Sequence, residues 1–166
     1  MNERPAPDLK DVPNFGWLAS WLGRGAHPNP AGFKWLCETG EIKTIVNLRA
    51  EDNTEALLAP LGFRPLQIPV LDNKAPTQEQ AMQWLALCAD SSNHPIFVHC
   101  QSGHGRTSTF CILVRLAQGW KLEDAIDEET RNYKFEPDRD IEQVQFLKGI
   151  KDLAKSGALK LPDLPS

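Results

Sequence analysis

The sequence lacks long apolar runs, paired cysteines and an excess of basic residues. No apolar run reaches the roughly 18 residues that a membrane span requires, and the opening MNERPAPDLKDVP has charges and prolines where a signal peptide needs an apolar stretch. The four cysteines follow no C-x-x-C spacing, which favours reduced thiols. A net charge of −4 argues against a broad basic face for nucleic acid. We therefore expect a soluble, cytoplasmic protein that has no nucleic-acid partner.

The length and composition fit one globular domain. The chain has 166 residues, of which 41% are hydrophobic and 24% charged, so it can bury a sizeable core but has no room for a second full domain. Both ends are rich in proline, glycine and charge, which predicts flexible tails over residues 1–13 and 156–166. We expect the domain to span residues 14–155 and to be a monomer.

Strand and helix patterns alternate along the chain. The segment FGWLASWLGRG predicts two short strands, and the runs IKTIVNLR, RPLQIPV and PIFVH each predict one more. Asn29 has the character of an N-cap for a helix that follows it, EALLAPLGF reads as a short helix, and Thr77 and Gln80 have the spacing of a capping box. Further helices are predicted in RTSTFCILVRLAQG and at roughly 122–133 and 139–155. This order predicts an α/β fold with a central, mainly parallel sheet flanked by helices, whose ligands bind at the carboxyl ends of the strands.

The stretch IFVHCQSGHGRTSTF begins within the last of those predicted strands. Cys100 comes directly after the strand, two glycines lie in the next five residues, and Arg106 opens an apolar helix. Glycines allow successive backbone N–H groups to turn inward, and the first N–H groups of a helix have no internal partner, so the loop can cradle a dianion. Arg106 adds a planar fork for phosphate oxygens, and the same positive field favours the thiolate form of a cysteine. The predicted phosphate-binding residues are Gln101, Ser102, Gly103, His104, Gly105 and Arg106.

The motif HCQSGHGRT resembles the His-Cys-x5-Arg-Ser/Thr signature of cysteine-dependent tyrosine and dual-specificity phosphatases. The segments WLGRGAHP, IKTIVNLRAED and LQIPVLDNKAP, and the later LEDAIDEETRN and IEQVQFLKGI, are similar to parts of small dual-specificity phosphatases, so the resemblance covers roughly residues 14–153. It implies the dual-specificity phosphatase fold and a metal-independent, cofactor-free hydrolysis through a phosphocysteine. In that chemistry Cys100 would be the nucleophile and Arg106 the phosphate clamp. Thr107 would assist release of the thiolate, and His99 would order the loop.

The reaction also needs an acid for the leaving oxygen, and the family supplies an aspartate from a mobile loop. Asp72 in VLDNKAPT follows a predicted strand and is the favoured candidate. Asp52 and Glu51 follow another strand and remain alternatives. The substrate we favour is phosphotyrosine or phosphoserine/threonine in a protein, because the one tyrosine, Tyr133, lies after the loop and leaves a shallower pocket.

Other functions remain open at this stage. A phosphoinositide or another small phosphoester is the alternative substrate, although relatives specific for inositol phosphates often carry lysines in the loop and QSGHG has none. A rhodanese-type sulfurtransferase also uses a loop cysteine at the start of a helix, and a catalytically silent module would bind phosphoryl groups without turnover. A zinc site built from His99, Cys100 and His104 is disfavoured because the N–H cradle prefers an anion. The other cysteines, Cys37, Cys88 and Cys111, are expected to be small buried side chains.

Overall fold

Strands and helices alternate as the sequence predicts, and the computed structural model describes residues 4–166. Within that range the elements are β1 (Gly16–Ala19), β2 (Leu22–Gly25), α1 (Pro30–Glu38), β3 (Thr44–Arg49), α2 (Glu55–Leu58), β4 (Arg64–Val70), α3 (Gln78–Ala89), β5 (Ile96–His99), α4 (Gly105–Ala117), α5 (Leu122–Tyr133) and α6 (Ile141–Ser156). The predicted α/β class is confirmed, with five strands and six α-helices in the described residues.

Side-chain caps start two of the helices where the sequence predicts them. The Asn29 side chain accepts a hydrogen bond from the backbone N–H of Gly32 at 2.8 Å, which fixes the start of α1. At α3 the Thr77 hydroxyl accepts from the N–H of Gln80, and the Gln80 side chain accepts from the N–H of Thr77, both at 3.0 Å. This reciprocal capping box satisfies two N–H groups that a helix end otherwise leaves without partners.

The sheet has the strand order β1-β2-β5-β3-β4. β1 pairs antiparallel with β2, whereas β5 lies between β2 and β3 and runs parallel to both, and β4 runs parallel to β3. The four parallel strands therefore end at one edge of the sheet, and the loop after β5 lies near the middle of that edge.

The two faces of the sheet carry separate hydrophobic clusters. Successive strand residues point to opposite faces. Accordingly, Ile45 and Phe97 pack in a smaller cluster with Leu36 of α1, whereas the adjacent Val46 and Val98 belong to a larger cluster. The larger cluster includes buried side chains of α3, α4 and α6: Trp84, Phe110 and Leu147. Residues of α4 are buried on nearly all sides, which explains its almost continuous apolar sequence.

Segments outside the sheet and helices also contact the core. After α6, Leu159, Leu161 and Leu164 pack against the larger cluster, and the indole N–H of Trp21 donates to the carbonyl of Pro165 at 3.1 Å. Near the other end, Val12 is fully buried in the smaller cluster. The flexibility of the terminal segments remains a prediction, and residues 1–3 of the predicted tail lie outside the described residues. Within residues 4–166 no helix combines the length and apolarity needed to cross a bilayer.

Candidate active site

The loop between β5 and α4, residues 100–106, forms a closed turn around a buried thiol. The Cys100 residue is 2% exposed, and the backbone N–H of Gly103 donates to its Sγ at 3.3 Å. Gly103 has a φ of +76°, and a Cβ at this position would lie 2.8 Å from the backbone nitrogen of Ala26. Glycine is therefore required here both by backbone conformation and by space. The next residues start α4, so the unpaired N–H groups of its first turn lie beside the thiol.

Arg24 of β2 supports this loop by hydrogen bonding to its backbone. Its side chain is fully buried, and its Nη2 donates to the carbonyl of Gly103 at 3.0 Å and to the hydroxyl of Ser108 at 3.1 Å. The same nitrogen pairs with Oε1 of Glu129 on α5 at 2.8 Å, and the guanidinium lies 3.9 Å from the ring centroid of Tyr133. Arg24 lies in WLGRGAHP and Glu129 in LEDAIDEETRN, but the pair was not predicted because the two positions are 105 residues apart and no spacing pattern links them.

Arg106 is held by a carboxylate that the sequence offered as a candidate acid. Its Nη1 and Nη2 donate to the two carboxylate oxygens of Glu51 at 2.7 and 3.0 Å, and Nη1 also donates to the carbonyl of Val70 at 2.9 Å. The hydrogen bonds from Arg106 lower the pKa of the Glu51 carboxyl to about 2. Glu51 is therefore ionised at neutral pH and orients Arg106. Nε of Arg106 is buried and has no hydrogen-bond partner in the described part of the chain.

The remaining acid candidates, Asp72 and Asp52, have different surroundings. Asp72 follows β4 directly, its side chain is 69% exposed, and its Oδ1 lies 3.5 Å from Nη2 of Arg106. The carboxylate of Asp52 instead accepts a hydrogen bond from Nη1 of Arg49 at 2.8 Å. The structure thus brings Asp72 and Glu51 to Arg106 and ties Asp52 to a different arginine. Both oxygens of Glu51 accept hydrogen bonds from Arg106, whereas the Asp72 carboxylate lies near the same guanidinium at 3.5 Å and is more exposed, which leaves Asp72 the freer of the two.

The two predicted supporting residues flank the loop: His99 directly precedes Cys100, and Thr107 directly follows Arg106. His99 is fully buried, and burial lowers its pKa to about 3, so the ring is neutral at pH 7. Its Nδ1 lies 3.1 Å from the carbonyl oxygen of Cys100 and therefore carries the donated proton. Thr107 is also buried, and its hydroxyl donates to the carbonyl of Gly25 at 3.4 Å. Both side chains therefore fix the backbone on either side of the loop.

The other predicted loop residues form the rim. Gln101 and Ser102 are exposed, while His104 and Gly105 are partly buried at the start of α4. Burial, together with the nearby charges of Lys134 and Arg139, lowers the pKa of His104. In the range 4–166 no group of three or more His, Cys, Asp or Glu side chains is arranged to hold a metal ion.

Comparisons with known proteins identify the family to which the chain is similar. The family model PTP-NADK, described as the DSP-PTPase phosphatase fused to NAD+ kinase, matches residues 18–149. The chain is 30% identical to inositol diphosphatase DSP4 of Arabidopsis thaliana over 139 residues, which are 79% of this chain and 70% of that protein. It is also 38% identical over 99 residues to the chloroplastic NAD kinase 2 of the same plant, a match that covers 55% of this chain and 10% of the kinase.

A solved structure shares the fold. The structure of TpbA from Pseudomonas aeruginosa in complex with pTyr superimposes with a TM-score of 0.75 and 23% sequence identity, covering 93% of this chain and 94% of the other. Together with the match to the family model over most of the chain, this confirms the resemblance expected from HCQSGHGRT. The protein belongs to this family of dual-specificity phosphatase domains, within the cysteine-dependent protein tyrosine phosphatase superfamily.

Proposed function

We propose that the protein hydrolyses phosphate monoesters through a phosphocysteine formed on Cys100. The observation that carries this proposal is the buried Cys100 thiol, which accepts the Gly103 N–H and lies at the first turn of α4 beside Arg106. Backbone N–H groups and a guanidinium arranged around one nucleophile provide positive charge where the equatorial oxygens of a transferring phosphoryl group develop negative charge. The arrangement supports phosphoryl transfer rather than simple anion storage because the nucleophile is part of the cradle.

The first step forms the bond between Sγ of Cys100 and phosphorus and breaks the ester bond. Asp72 is the acid we propose, because its carboxyl lies at Arg106 and is open to substrate. Its proton goes to the leaving oxygen, which departs as an alcohol or phenol. In the second step water attacks phosphorus and gives its proton to the Asp72 carboxylate, while Sγ leaves as a thiolate. The Thr107 hydroxyl, which donates to the carbonyl of Gly25 at 3.4 Å, would turn to Sγ to assist this release.

Glu51 and His99 act in this scheme by positioning other groups. Glu51 engages Nη1 and Nη2 of Arg106 and leaves Nε as a donor for a phosphate oxygen. The neutral His99 ring holds the carbonyl of Cys100 and so fixes the direction of the thiol. Neither residue needs to change its protonation state during the reaction.

The substrate class that we propose is phosphotyrosine or phosphoserine/threonine in a protein. Residues 101–105 carry no lysine or arginine, and the carboxylates of Asp72 and Glu51 lie at Arg106, which disfavours a substrate with many phosphates. Inositol phosphates and phosphoinositides are the second candidate. Two observations favour them: the relative named as an inositol diphosphatase, and the cations of Lys134 and Arg139 near His104.

One panel assay tests both the chemistry and the substrate class. The purified protein is offered a phosphotyrosine peptide, phosphoserine and phosphothreonine peptides, a phosphoinositide and an inositol pyrophosphate, each with a chelator and no added metal. We expect release of phosphate from at least one peptide by the wild type and none by Cys100→Ser. Preferential turnover of the inositol compounds would replace the first substrate class by the second. Turnover by Cys100→Ser would overturn the mechanism, and release of sulfite from thiosulfate would indicate a sulfurtransferase.

The proposal also covers the compartment, the oligomeric state and the cofactor requirement of the protein. We propose a cytoplasmic monomer that needs no cofactor, because free cysteines fit a reducing compartment and one chain supplies the thiol, the N–H groups and Arg106. Size-exclusion chromatography with light scattering tests the monomer directly, since a dimer would have twice the mass of 18.6 kDa.

A further inference from the structure

An apolar cavity lies between α1 and α2, beside the carboxyl edge of the sheet. Its volume is about 730 Å³, which falls within the roughly 300–1,000 Å³ typical of small-molecule sites. The lining includes the ring of Phe33, the rings of Pro30 and Pro60, and the side chains of Leu58 and Leu61. A cavity of this size and composition is suited to a flat apolar group rather than to an anion.

Two leucines from the α2 region extend the same apolar surface into solvent. Leu57 is 71% exposed and Leu61 is 48% exposed, and both belong to the cavity lining. Single exposed leucines are common on proteins, but here two of them adjoin one concave apolar site. The charged side chains of the lining are Lys34 and Glu38 on α1, which carry opposite charges. The site therefore has little net attraction for an ion.

One wall of the cavity also supports the 100–106 loop. The backbone N–H of His27 donates to the carbonyl of Gln101 at 3.1 Å, and the His27 ring lies 5.3 Å from the ring of His99. Phe33, which lines the cavity, lies 6.5 Å from the same His99 ring. Because His99 immediately precedes Cys100, the rings of His27 and Phe33 connect the cavity wall to the backbone beside the proposed nucleophile.

We propose that this cavity is a specificity subsite that receives an apolar ring of the substrate while the phosphate is bound in the 100–106 loop. The inference rests on the function proposed above, and it adds a requirement on the part of the substrate beyond the phosphate. His27 belongs to the cavity lining and also contacts Gln101 at the rim of the loop, so the two sites are neighbours and a phosphate ester with a ring on a linker of suitable length is expected to reach both. Burial of the ring lowers KM and leaves kcat nearly unchanged, because the ring is bound equally in the ground state and the transition state.

Matched aryl phosphates test the subsite. The reference ester is 4-methylphenyl phosphate, and the test esters carry a distal phenyl ring on a para chain of one to four methylene groups, so the leaving phenols have closely similar acidity. For at least one chain length we expect KM to fall by about tenfold or more relative to the reference, the factor that burial of one phenyl ring provides. Equal KM values at all chain lengths would overturn the inference.

Variants of the lining residues test whether the cavity causes the lower KM of the extended ester. Leu57→Ser removes an apolar wall and Cys37→Phe fills the cavity from α1, and neither residue belongs to the catalytic loop. In both variants we expect the KM of the extended ester to lie less than about threefold below that of the reference ester, while the reference ester keeps its wild-type kcat and KM. Leu9→Ser is the matched control, because Leu9 is 61% exposed and lies outside the cavity lining. If the KM of the extended ester stays about tenfold lower in both variants, the ring binds elsewhere and the subsite is refuted.

Direct binding separates this inference from the proposed function. Calorimetric titration of Cys100→Ser with the reference ester and with the best extended ester measures affinity without turnover. Tighter binding of the extended ester, abolished by adding Leu57→Ser, supports the subsite even if the wild type hydrolyses neither compound, a result that would defeat only the proposed function. Equal affinities would refute the subsite and leave the proposed function standing.

Discussion

Glu129→Gln tests the buried ion pair that supports the 100–106 loop. The substitution keeps the shape of the side chain but removes the charge that Arg24 faces at 2.8 Å, where the two side chains are 1% and 0% exposed. Breaking a buried pair by removing one partner costs about 3–5 kcal/mol, because the other charge stays buried without compensation. Arg24 keeps its bonds to the carbonyls of Gly103 and Asn14, and a glutamine oxygen can still accept, so we expect about 3 kcal/mol.

The assay is thermal unfolding, and the matched control is a substitution of the preceding residue, Glu128. For a chain of this length 1 kcal/mol corresponds to about 2–4 °C, so Glu129→Gln is expected to lower Tm by about 6–12 °C. Glu128 pairs with Arg115 at 2.8 Å, but these side chains are 19% and 12% exposed, so Glu128→Gln is expected to lower Tm less. Equal shifts for the two variants, or a shift below about 2 °C for Glu129→Gln, would refute the argument that burial makes the Arg24 pair stronger.

Four further predictions follow from the site. Cys100→Ser is expected to abolish turnover while vanadate still binds, because the N–H cradle and Arg106 remain; loss of vanadate binding by calorimetry would contradict this. Asp72→Asn is expected to slow hydrolysis of an aryl phosphate with a poor leaving group by about 10²–10⁴-fold and to have little effect with a good one, whereas Asp52→Asn should change neither rate; the opposite outcome would move the acid to Asp52. Mild peroxide is expected to inactivate the enzyme reversibly, with activity restored by a thiol reductant, and insensitivity to peroxide would show that peroxide does not react with Cys100, which is 2% exposed. The pKa of Glu51 is lowered from 4.5 to about 2, so its contribution to the free energy of unfolding is complete above pH 4.5 and is lost as the pH falls through about 2. Because the Glu51 side chain is 43% exposed, this contribution is small, and the free energies of unfolding of wild type and Glu51→Gln in urea should differ by only about 1 kcal/mol at neutral pH. The two values should converge in acid, and a constant difference across pH would contradict the prediction.

The sequence predicts the secondary structure well where local chemistry decides it. Thr77 and Gln80 form their capping box because both partners lie within one turn, and the central strands follow from β-branched and apolar runs that fit a sheet covered on both faces. The 100–106 loop is equally local, since the thiol, the glycines and the arginine are contiguous in the chain.

Contacts between distant segments could not be predicted in the same way. Glu51 and Asp52 are adjacent and chemically alike, yet one carboxylate binds Arg106 and the other binds Arg49. No spacing rule distinguishes them, because the choice depends on where the loop after β3 meets the loop after β5. The Arg24 pair and the cavity beside α1 arise likewise from segments that only the fold brings together.

The position of β5 has a consequence for how activity is gained and lost. This strand pairs with β2 and with β3, so Ile96 lies opposite both Leu22 and Thr44, residues far earlier in the chain. Cys100, the proposed nucleophile that follows β5, cannot reach its place until these non-local pairings have formed, and such pairings are the slow part of folding. Partial opening that separates β5 from either neighbour removes the support of the loop, so a form opened in this way is expected to lose activity. Enzyme activity is thus a direct reporter of the intact sheet, and it should disappear in the same cooperative transition as the sheet itself.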